Sequence, residues 1–255
     1  MGSLSSSPAD GSCGAGHRWF ASGRTGAAGW LLVAVLVTVA VGHAASLGGL
    51  TATSLLEISS LTSVPAPSVV GCDNFTGTTG ASVAARAATV AAPCSNRTWT
   101  VHVGKWTIQS NQAASNATAS AVATENTTTV DSTVQAVLLS LNTGGRSGGV
   151  VLSHDGASSY LAAVMIDATP DRIELRLVSG GAPTVLTTLT PTFATTNTLG
   201  LSRSGSALSI TLNGAAVGAY TLTSPQLTAL GPGARAGVFG GNSSVLFDDF
   251  VVTTP

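Results

Sequence analysis

Charged side chains are scarce in this sequence. Only 8% of its 255 residues are charged, with three Glu and one Lys, whereas roughly 25% is usual. Long helices built on i,i+4 ion pairs are therefore not expected, because they need many Lys and Glu residues. The net charge is −1 and no Lys/Arg cluster is present. Nucleic acid is not an expected partner, since phosphate binding requires several basic groups on one surface.

The sequence also lacks the low hydrophobicity of disordered proteins, so an intrinsically disordered chain is excluded. The chain is 44% hydrophobic, whereas disordered chains combine low hydrophobicity with high charge. Solubility must then come from Ser, Thr, Asn and Gly, which is common in secreted all-β proteins. The composition indicates an exported, folded, β-rich protein.

The N-terminal region has the order of an export signal. A leader with basic residues precedes the apolar run 30–41, and small residues follow it. This order predicts a secretory signal peptide over residues 1–45. An uncleaved transmembrane anchor is the alternative, because 27–50 is long enough to cross a bilayer. Either way, the rest of the chain is expected to be extracellular or at the cell surface, with membrane contact only through this segment.

Residues 46–68 form a predicted spacer ahead of the globular domain, 69–255. They are rich in Ser, Thr and Leu and contain Pro65 and Pro67, which favour an extended chain.

Cys72 and Cys94 are the cysteines beyond the export segment. In an oxidising compartment they are predicted to form a disulfide with each other. A metal site would need further thiol or imidazole ligands at close spacing.

Asn213-Gly214 predicts a β-hairpin. Both central residues of a type I′ turn need a positive φ, which Asn and Gly tolerate. The register that this turn sets opposes three pairs: Leu212 with Ala215, Ile210 with Val217, and Leu208 with Ala219. These residues then share one apolar face, with Tyr220 on the other. Such a face needs a second sheet to cover it.

A second hairpin is predicted around a turn at Gly104-Lys105. In that register five apolar side chains share one face: Trp99, Val101, Val103, Trp106 and Ile108. The two tryptophans are therefore expected in the core rather than on a sugar-stacking surface. His102, on the opposite face, is expected to be a solvated histidine.

About a dozen short strands follow one another at spacings near 8–12 residues. The clearest is 172–178, in which Ile173, Leu175 and Leu177 alternate with Arg172, Glu174 and Arg176. No helical period of useful length is present. The sequence therefore predicts an all-β fold, a two-sheet antiparallel β-sandwich of the jelly-roll type, behind the N-terminal hydrophobic export helix.

The order of several short motifs resembles that of a known family. The motifs are CDNF (72–75), W-x6-W (99–106), YLAAV (160–164), DRIELRLVSGG (171–181), LNG (212–214), ARAGVF (234–239) and VLFDDFVV (245–252). Together they resemble the bacterial concanavalin A-like lectin/glucanase superfamily, laminin-G-like in style. The resemblance implies a concanavalin A-like jelly roll whose first and last strands lie side by side.

The resemblance also implies a structural Ca²⁺ held near those two strands. The matching positions are Asp73 and either Asp248 or Asp249, with backbone carbonyls supplying most of the about six to eight oxygen ligands. Alternatively, the aspartates cap turns. Phe247 and Phe250 flank Asp248-Asp249, and both rings face inward only if the strand bulges between them.

The acidic residues of a glucanase active site are missing. Glucanases of this superfamily carry a strand of alternating acids, and retaining hydrolysis needs two carboxyls about 5–5.5 Å apart. Glu57 lies in the spacer, Glu125 in a predicted polar loop, and Glu174 has only Arg172 and Arg176 as outward neighbours. The chain is therefore not expected to be an enzyme.

Ser153-His154-Asp155 contains the residue types of a hydrolase triad. Adjacent residues on one turn do not converge in triad geometry, so a hairpin turn is predicted there. Arg146, His154 and Tyr160, around the Gly-rich loop 142–149, are candidates for a ligand-binding rim.

The sequence therefore predicts an exported, non-catalytic, lectin-like module that binds a glycan or a cell-surface partner. The alternatives are a surface structural or adhesive domain without a small ligand, and a polysaccharide hydrolase or lyase. Ca²⁺ is the only cofactor that is expected.

Overall fold

The computed structural model describes residues 66–90, 97–116, 120–141, 144–241 and 245–254. The predicted export helix, most of the spacer and Cys94 lie outside these residues. Within the described part, no helix combines the length and apolar character needed to cross a bilayer. The described residues all belong to one compact unit, Ser60–Pro255.

Fifteen strands and one short helix make up the described chain. The strands are β1 (Ser68–Asp73), β2 (Thr100–Val103), β3 (Trp106–Gln109), β4 (Gln112–Ser115), β5 (Ala121–Asn126), β6 (Ser132–Leu139), β7 (Ser147–Leu152), β8 (Tyr160–Ile166), β9 (Arg172–Ser179), β10 (Ala182–Leu189), β11 (Thr196–Ser204), β12 (Ala207–Leu212), β13 (Ala215–Thr221), β14 (Arg235–Gly240) and β15 (Leu246–Thr254). The helix α1 (Ser224–Leu230) lies between β13 and β14.

The strands form two antiparallel sheets. One has the order β13-β12-β11-β6-β15-β4-β3, with β1 paired to β15, and the other has the order β10-β9-β8-β7-β14-β5-β2. The predicted two-sheet antiparallel sandwich is confirmed. The opening and closing strands also lie side by side, because β1 pairs with β15 from Ser68↔Thr254 to Asp73↔Phe250.

The core lies between the inner faces of the two sheets. Trp99 and Trp106 are each 1% exposed, which confirms their predicted core placement. The Trp99 ring packs against Phe75 and Phe250 at centroid distances of 5.3 and 4.8 Å, and Trp106 packs against Phe247 at 5.5 Å. Tilted ring pairs at such distances contribute stability beyond the area that they bury.

The hairpin at Asn213-Gly214 forms, but the predicted register holds for its first pair only. Both turn residues have positive φ, +52° and +81°, and Leu212 pairs with Ala215. A bulge between Ile210 and Thr211 then shifts the pairing, so that Leu208 lies opposite Tyr220. Since a shift of one residue exchanges the faces of a strand, Tyr220 packs against the core. Its predicted outward placement is wrong.

The predicted hairpin at Gly104-Lys105 does not form. β2 pairs with β5 in the seven-stranded sheet, whereas β3 pairs with β4 in the eight-stranded sheet. The chain therefore crosses between the sheets at Gly104-Lys105 instead of reversing within one. As a result Val103 is 49% exposed and does not share the core face of Trp106.

Two further elements differ from the sequence prediction. Glu125, predicted to lie in a polar loop, lies in strand β5, which follows β4. Helix α1 was not predicted, because its seven residues are too few to show a helical period. Its start is fixed by Pro225 in the first turn and by Gln226, whose Oε1 accepts from the Thr223 N–H at 2.8 Å.

Candidate functional site

The seven-stranded sheet carries buried apolar side chains on both of its faces. Every residue of β8 from Tyr160 to Met165 is buried, because alternate side chains enter the sandwich core and a second cluster on the outer face. This outer cluster consists of Val122, Val151, Tyr160, Ala162, Val164, Val178 and Phe239. A sheet face that only met water would be polar, so the cluster marks the outer face as a candidate binding surface.

A pocket of about 210 Å³ lies over the outer cluster and is called the outer pocket. Its apolar lining comes from Tyr160, Ala162, Val178, Phe239, Val103 and Pro183, and its polar lining comes from His154, Arg176, Ser120 and Ser158. An apolar lining with a few polar groups is typical of ligand sites. The volume is below the roughly 300–1,000 Å³ of sites for drug-sized molecules, so the pocket suits one small ring.

Three rings stack beside this pocket. His102 on β2 lies on His154 with a centroid distance of 4.0 Å, and His154 lies on Tyr160 of β8 at 5.2 Å with nearly parallel planes. His154 is 1% exposed and Tyr160 is 8% exposed. The stack joins the chain after β7 to the two strands β2 and β8, and two of its rings, His154 and Tyr160, line the outer pocket.

The loop after β7 places His154 by local hydrogen bonds. Asp155 Oδ1 accepts from the N–H groups of Ala157 at 2.7 Å and Ser159 at 3.0 Å, which is an Asx-type turn. Ser153 has a φ of +55°, and its Oγ accepts from Arg203 Nη1 at 2.9 Å. The side chains of Ser153 and His154 therefore have separate partners, as expected for a turn rather than a triad.

Both histidines of the stack favour the neutral form. Burial lowers the pKa of His154 to about 4, with His102 and Arg235 acting in the same direction and Asp155 opposing them. Nδ1 of His154 accepts from the Gly156 N–H at 2.8 Å, so the ring proton is on Nε2. The Nδ1 to Asp155 contact of 3.8 Å is therefore not an ion pair. Burial also lowers the pKa of His102.

Arg235 and Thr124 extend the polar side of the outer face. Arg235 Nε donates to Thr124 Oγ1 at 2.8 Å, and its Nη2 donates to Thr100 Oγ1 at 2.6 Å. The same Thr124 hydroxyl bonds His102 Nε2 at 2.8 Å. These bonds connect β14, β5 and β2, and they hold a guanidinium beside the histidine stack.

Three charged side chains form a ladder along the outer face of β9. Arg172 Nε donates to Glu174 Oε1 at 2.9 Å, and Arg176 donates to Glu174 Oε2 from Nε at 2.9 Å and from Nη2 at 2.7 Å. Partial burial raises the pKa of Glu174, but the hydrogen bonds from Arg176 and Arg172 outweigh it and hold the pKa below its usual value. The outward placement predicted from the alternation is confirmed, with Ile173 and Leu175 in the core.

The structure brings together two of the three candidate rim residues. His154 and Tyr160 both line the outer pocket. Arg146 lies at the opposite end of β7, where its backbone carbonyl accepts from Asp167 N and its Nη1 donates to Ser140 O. It is therefore separated from His154 by the full length of a six-residue strand, about 20 Å.

The sequence did not identify His102, Arg176 or Phe239 as site residues. His102 is half-buried in the ring stack rather than solvated as expected. Arg176 could have been found from the strict alternation of β9, which places it outward. No sequence pattern marked Phe239, because its position in the pocket depends on residues from several other strands.

The candidate calcium residues lie at the β1–β15 edge. Asp73 is 1% exposed and accepts from Trp99 Nε1 at 2.8 Å, Thr89 Oγ1 at 2.7 Å, Phe75 N at 2.8 Å and Arg86 Nε at 3.2 Å. Asp73 and Asp249 line one hollow of about 280 Å³. No group of three or more His, Cys, Asp or Glu able to hold a metal is found among the described residues. The donors around Asp73 already supply a counter-charge, and calcium binding stays a prediction.

The predicted bulge between Phe247 and Phe250 is present. The register of β15 against β6 shifts between Asp248 and Val251, and Asp249 has a φ of +44°. Both phenylalanine rings are fully buried. Partial burial, with smaller contributions from Asp249 and Asp73, raises the pKa of Asp248.

Cys72 lies on β1 and is 8% exposed. Its predicted partner Cys94 is outside the described residues, so the Cys72–Cys94 disulfide stays a prediction.

Comparison with solved structures finds a similar fold in a carbohydrate-binding module. The chain is similar to a carbohydrate-binding module, CBM66, from Bacillus subtilis, with a TM-score of 0.52 and 16% identity over 62% of this chain and 98% of that one. At this identity the likeness shows the fold alone.

Other matches are more distant. A galectin, LEC-6, from Caenorhabditis elegans has a TM-score of 0.37 and 17% identity over 49% of this chain and 83% of that one. A β-1,3-glucanase from Mycobacterium marinum has a TM-score of 0.45 and 13% identity over 74% and 99%. Both scores are below 0.5, so nothing is inferred from these two. No protein-family model and no curated protein matches the sequence.

Proposed function

We propose that this chain is an exported, non-catalytic, lectin-like module that binds a glycan in the outer pocket. The observation that carries the proposal is the pocket itself, in which an apolar lining with Tyr160 and Phe239 meets His154, Arg176 and two serines. Sugar rings present apolar C–H faces and polar hydroxyls, so they need this mixture of partners. The fold shared with a carbohydrate-binding module supports a glycan as the ligand class.

The charges around the pocket support a binding role rather than hydrolysis. Glycoside hydrolysis uses two carboxyls that flank the scissile bond, and no carboxyl is found among the described residues that line the outer pocket. Glu174, on the same sheet face, is bonded to two arginines. Export is proposed from the N-terminal sequence, and a cell-surface glycoprotein is the partner that fits an exported glycan-binding module.

A glycan array probed with the full-length protein tests this proposal. The test variant is Ala157→Trp, because Ala157 lines the pocket and is exposed, so the indole fills the pocket without removing a core contact. The matched control is Ala219→Trp, an exposed alanine on β13 in the other sheet. We expect signal on a defined set of glycans that A157W loses and A219W keeps.

Other outcomes separate the alternatives. An array without signal above background contradicts glycan binding and favours a structural or adhesive domain. Release of reducing sugar from a bound polysaccharide, abolished by A157W, would contradict the non-catalytic part of the proposal.

A further inference from the structure

The lining of the outer pocket carries an unbalanced positive charge. Arg176 lines the pocket, and the ladder on β9 contains two arginines, Arg172 and Arg176, for the single carboxylate of Glu174. One guanidinium charge therefore remains uncompensated by this group. Arg235 adds another cation on the same sheet face, bonded only to threonine oxygens among the described residues.

Arg176 has donors left for a ligand. Its Nε and Nη2 both donate to Glu174 Oε2, and these are its hydrogen bonds within the described residues. A guanidinium has five N–H donors, so about three remain, and they lie on Nη1 and the outer side of Nη2. Those two nitrogens form the end-on fork that binds a carboxylate with two parallel hydrogen bonds. Its side chain is 24% exposed, so the fork is accessible.

Asp155 is a carboxylate and offsets one of these charges, so Arg172, Arg176 and Arg235 against Glu174 and Asp155 leave a net charge of about +1 near the pocket. Asp155, on the loop beside the pocket, uses Oδ1 to hold the N–H groups of Ala157 and Ser159. His154 accepts a backbone N–H through Nδ1 and is neutral. Among the described residues, the pocket lining thus contains a cation and no anion.

We infer that the glycan bound in the outer pocket carries an anionic group, a carboxylate of a uronic acid or a sulfate ester, and that Arg176 binds it. The inference rests on the proposed glycan-binding function and narrows it to a ligand class. The planar fork of Arg176 favours the carboxylate, because the geometry of guanidinium and carboxylate matches in two hydrogen bonds.

Affinity electrophoresis of the full-length protein tests this inference. The gels contain polygalacturonate, its fully methyl-esterified form, or dextran sulfate, so that the first two differ in charge and the third supplies sulfate. The test variant is Arg176→Gln. The matched control is Arg172→Gln, which makes the same charge change on the other side of Glu174, at a residue that does not line the pocket.

We expect polygalacturonate to retard the wild type and R172Q, and its methyl-esterified form to retard neither protein. The affinity of R176Q for polygalacturonate should fall at least about tenfold, the size of one lost charge-assisted hydrogen bond. Retardation by dextran sulfate alone, lost in R176Q, would leave the inference standing and identify sulfate as the anion. Thermal melts of both variants check that they are folded.

Three results would overturn the inference. Equal retardation by polygalacturonate and its methyl ester would show that the protein does not recognise the carboxylate charge, although it binds the glycan. Equal losses in R176Q and R172Q would indicate non-specific attraction. Retardation by none of these polymers, with array signal confined to neutral sugars, would refute the anionic ligand alone, whereas an array without any signal would refute the proposed function itself.

Discussion

Glu125 is the residue at which the structure makes its sharpest stability prediction. It lies on the inner side of β5, is 1% exposed, and neither carboxyl oxygen has a hydrogen-bond partner among the described residues. Gly71 leaves room for it, since a Cβ there would lie 2.8 Å from Oε2. Burial, and secondarily the charge of Asp73, raises the pKa of Glu125 from 4.5 to about 8, while Arg97 opposes the rise.

The magnitude follows from the two pKa values. An acid whose folded pKa is higher than its unfolded pKa keeps its proton longer in the folded state, so stability falls as pH rises between the two values. One pKa unit corresponds to about 1.4 kcal/mol, which gives a loss of about 5 kcal/mol between pH 4.5 and 8. His154 changes stability in the opposite direction below pH 6.5. The window from pH 6.5 to 8 therefore isolates Glu125, with an expected loss of about 2 kcal/mol.

The assay is urea unfolding followed by tryptophan fluorescence, since Trp99 and Trp106 are buried. We expect the unfolding free energy of the wild type to fall by about 2 kcal/mol from pH 6.5 to 8, and that of Glu125→Gln to stay level. Glu174→Gln is the matched control, because the folded pKa of Glu174 is below its usual value, and it should keep the wild-type decline. A level wild-type curve, or an equal decline in E125Q, would refute the reasoning.

Four further predictions concern the histidine stack and the β1–β15 edge. In the E125Q background, the unfolding free energy should fall by about 3 kcal/mol between pH 6.5 and 4, because His154 takes up its proton at a higher pH in the unfolded state than in the folded state. Adding His154→Asn should reduce this loss. An equal loss with and without His154→Asn would contradict the role of His154. Asp73→Ala should lower the unfolding free energy in urea by about 3–5 kcal/mol, because Arg86 loses its buried carboxylate partner. Asp248→Ala should lower it by less than about 1 kcal/mol. Similar losses in the two variants would rule out Asp73 as the buried partner of Arg86. If calcium binds at this edge, millimolar CaCl₂ should raise the melting temperature above that in EDTA, and the increase should be smaller in Asp248→Ala. Identical melting curves in CaCl₂ and EDTA would leave Arg86 as the counter-charge of Asp73. Asp249→Val should lower the unfolding free energy by about 1–2 kcal/mol, because a β-branched residue tolerates a positive φ poorly, while Asp249→Gly should not; a stable valine variant would disprove the bulge.

In β9, which carries no bulge of its own, the sequence alone determined which side chains share a face. Alternation in 172–178 predicted the core residues of β9 and its outward Arg172, Glu174 and Arg176, and both were confirmed. The spacing of Phe247 and Phe250 predicted a bulge that the structure contains. These features depend on the two-residue period of a strand and on local steric limits, which neighbouring residues set by themselves.

Tertiary structure alone decided how β2 and β3 pair and which distant residues meet in the site. β2 and β3 are separated by only two residues, yet they join different sheets, and the Gly104-Lys105 turn gave no signal of this. His102, His154 and Tyr160 meet because β2 and β8 lie in the same sheet and the loop after β7 reaches between them. Glu125 is likewise buried because β5, between β14 and the edge strand β2, turns the face of Ala121 and Ala123 toward the core. Such contacts depend on how all the strands together bury their apolar surface, a long-range packing free energy that no local pattern in the sequence contains.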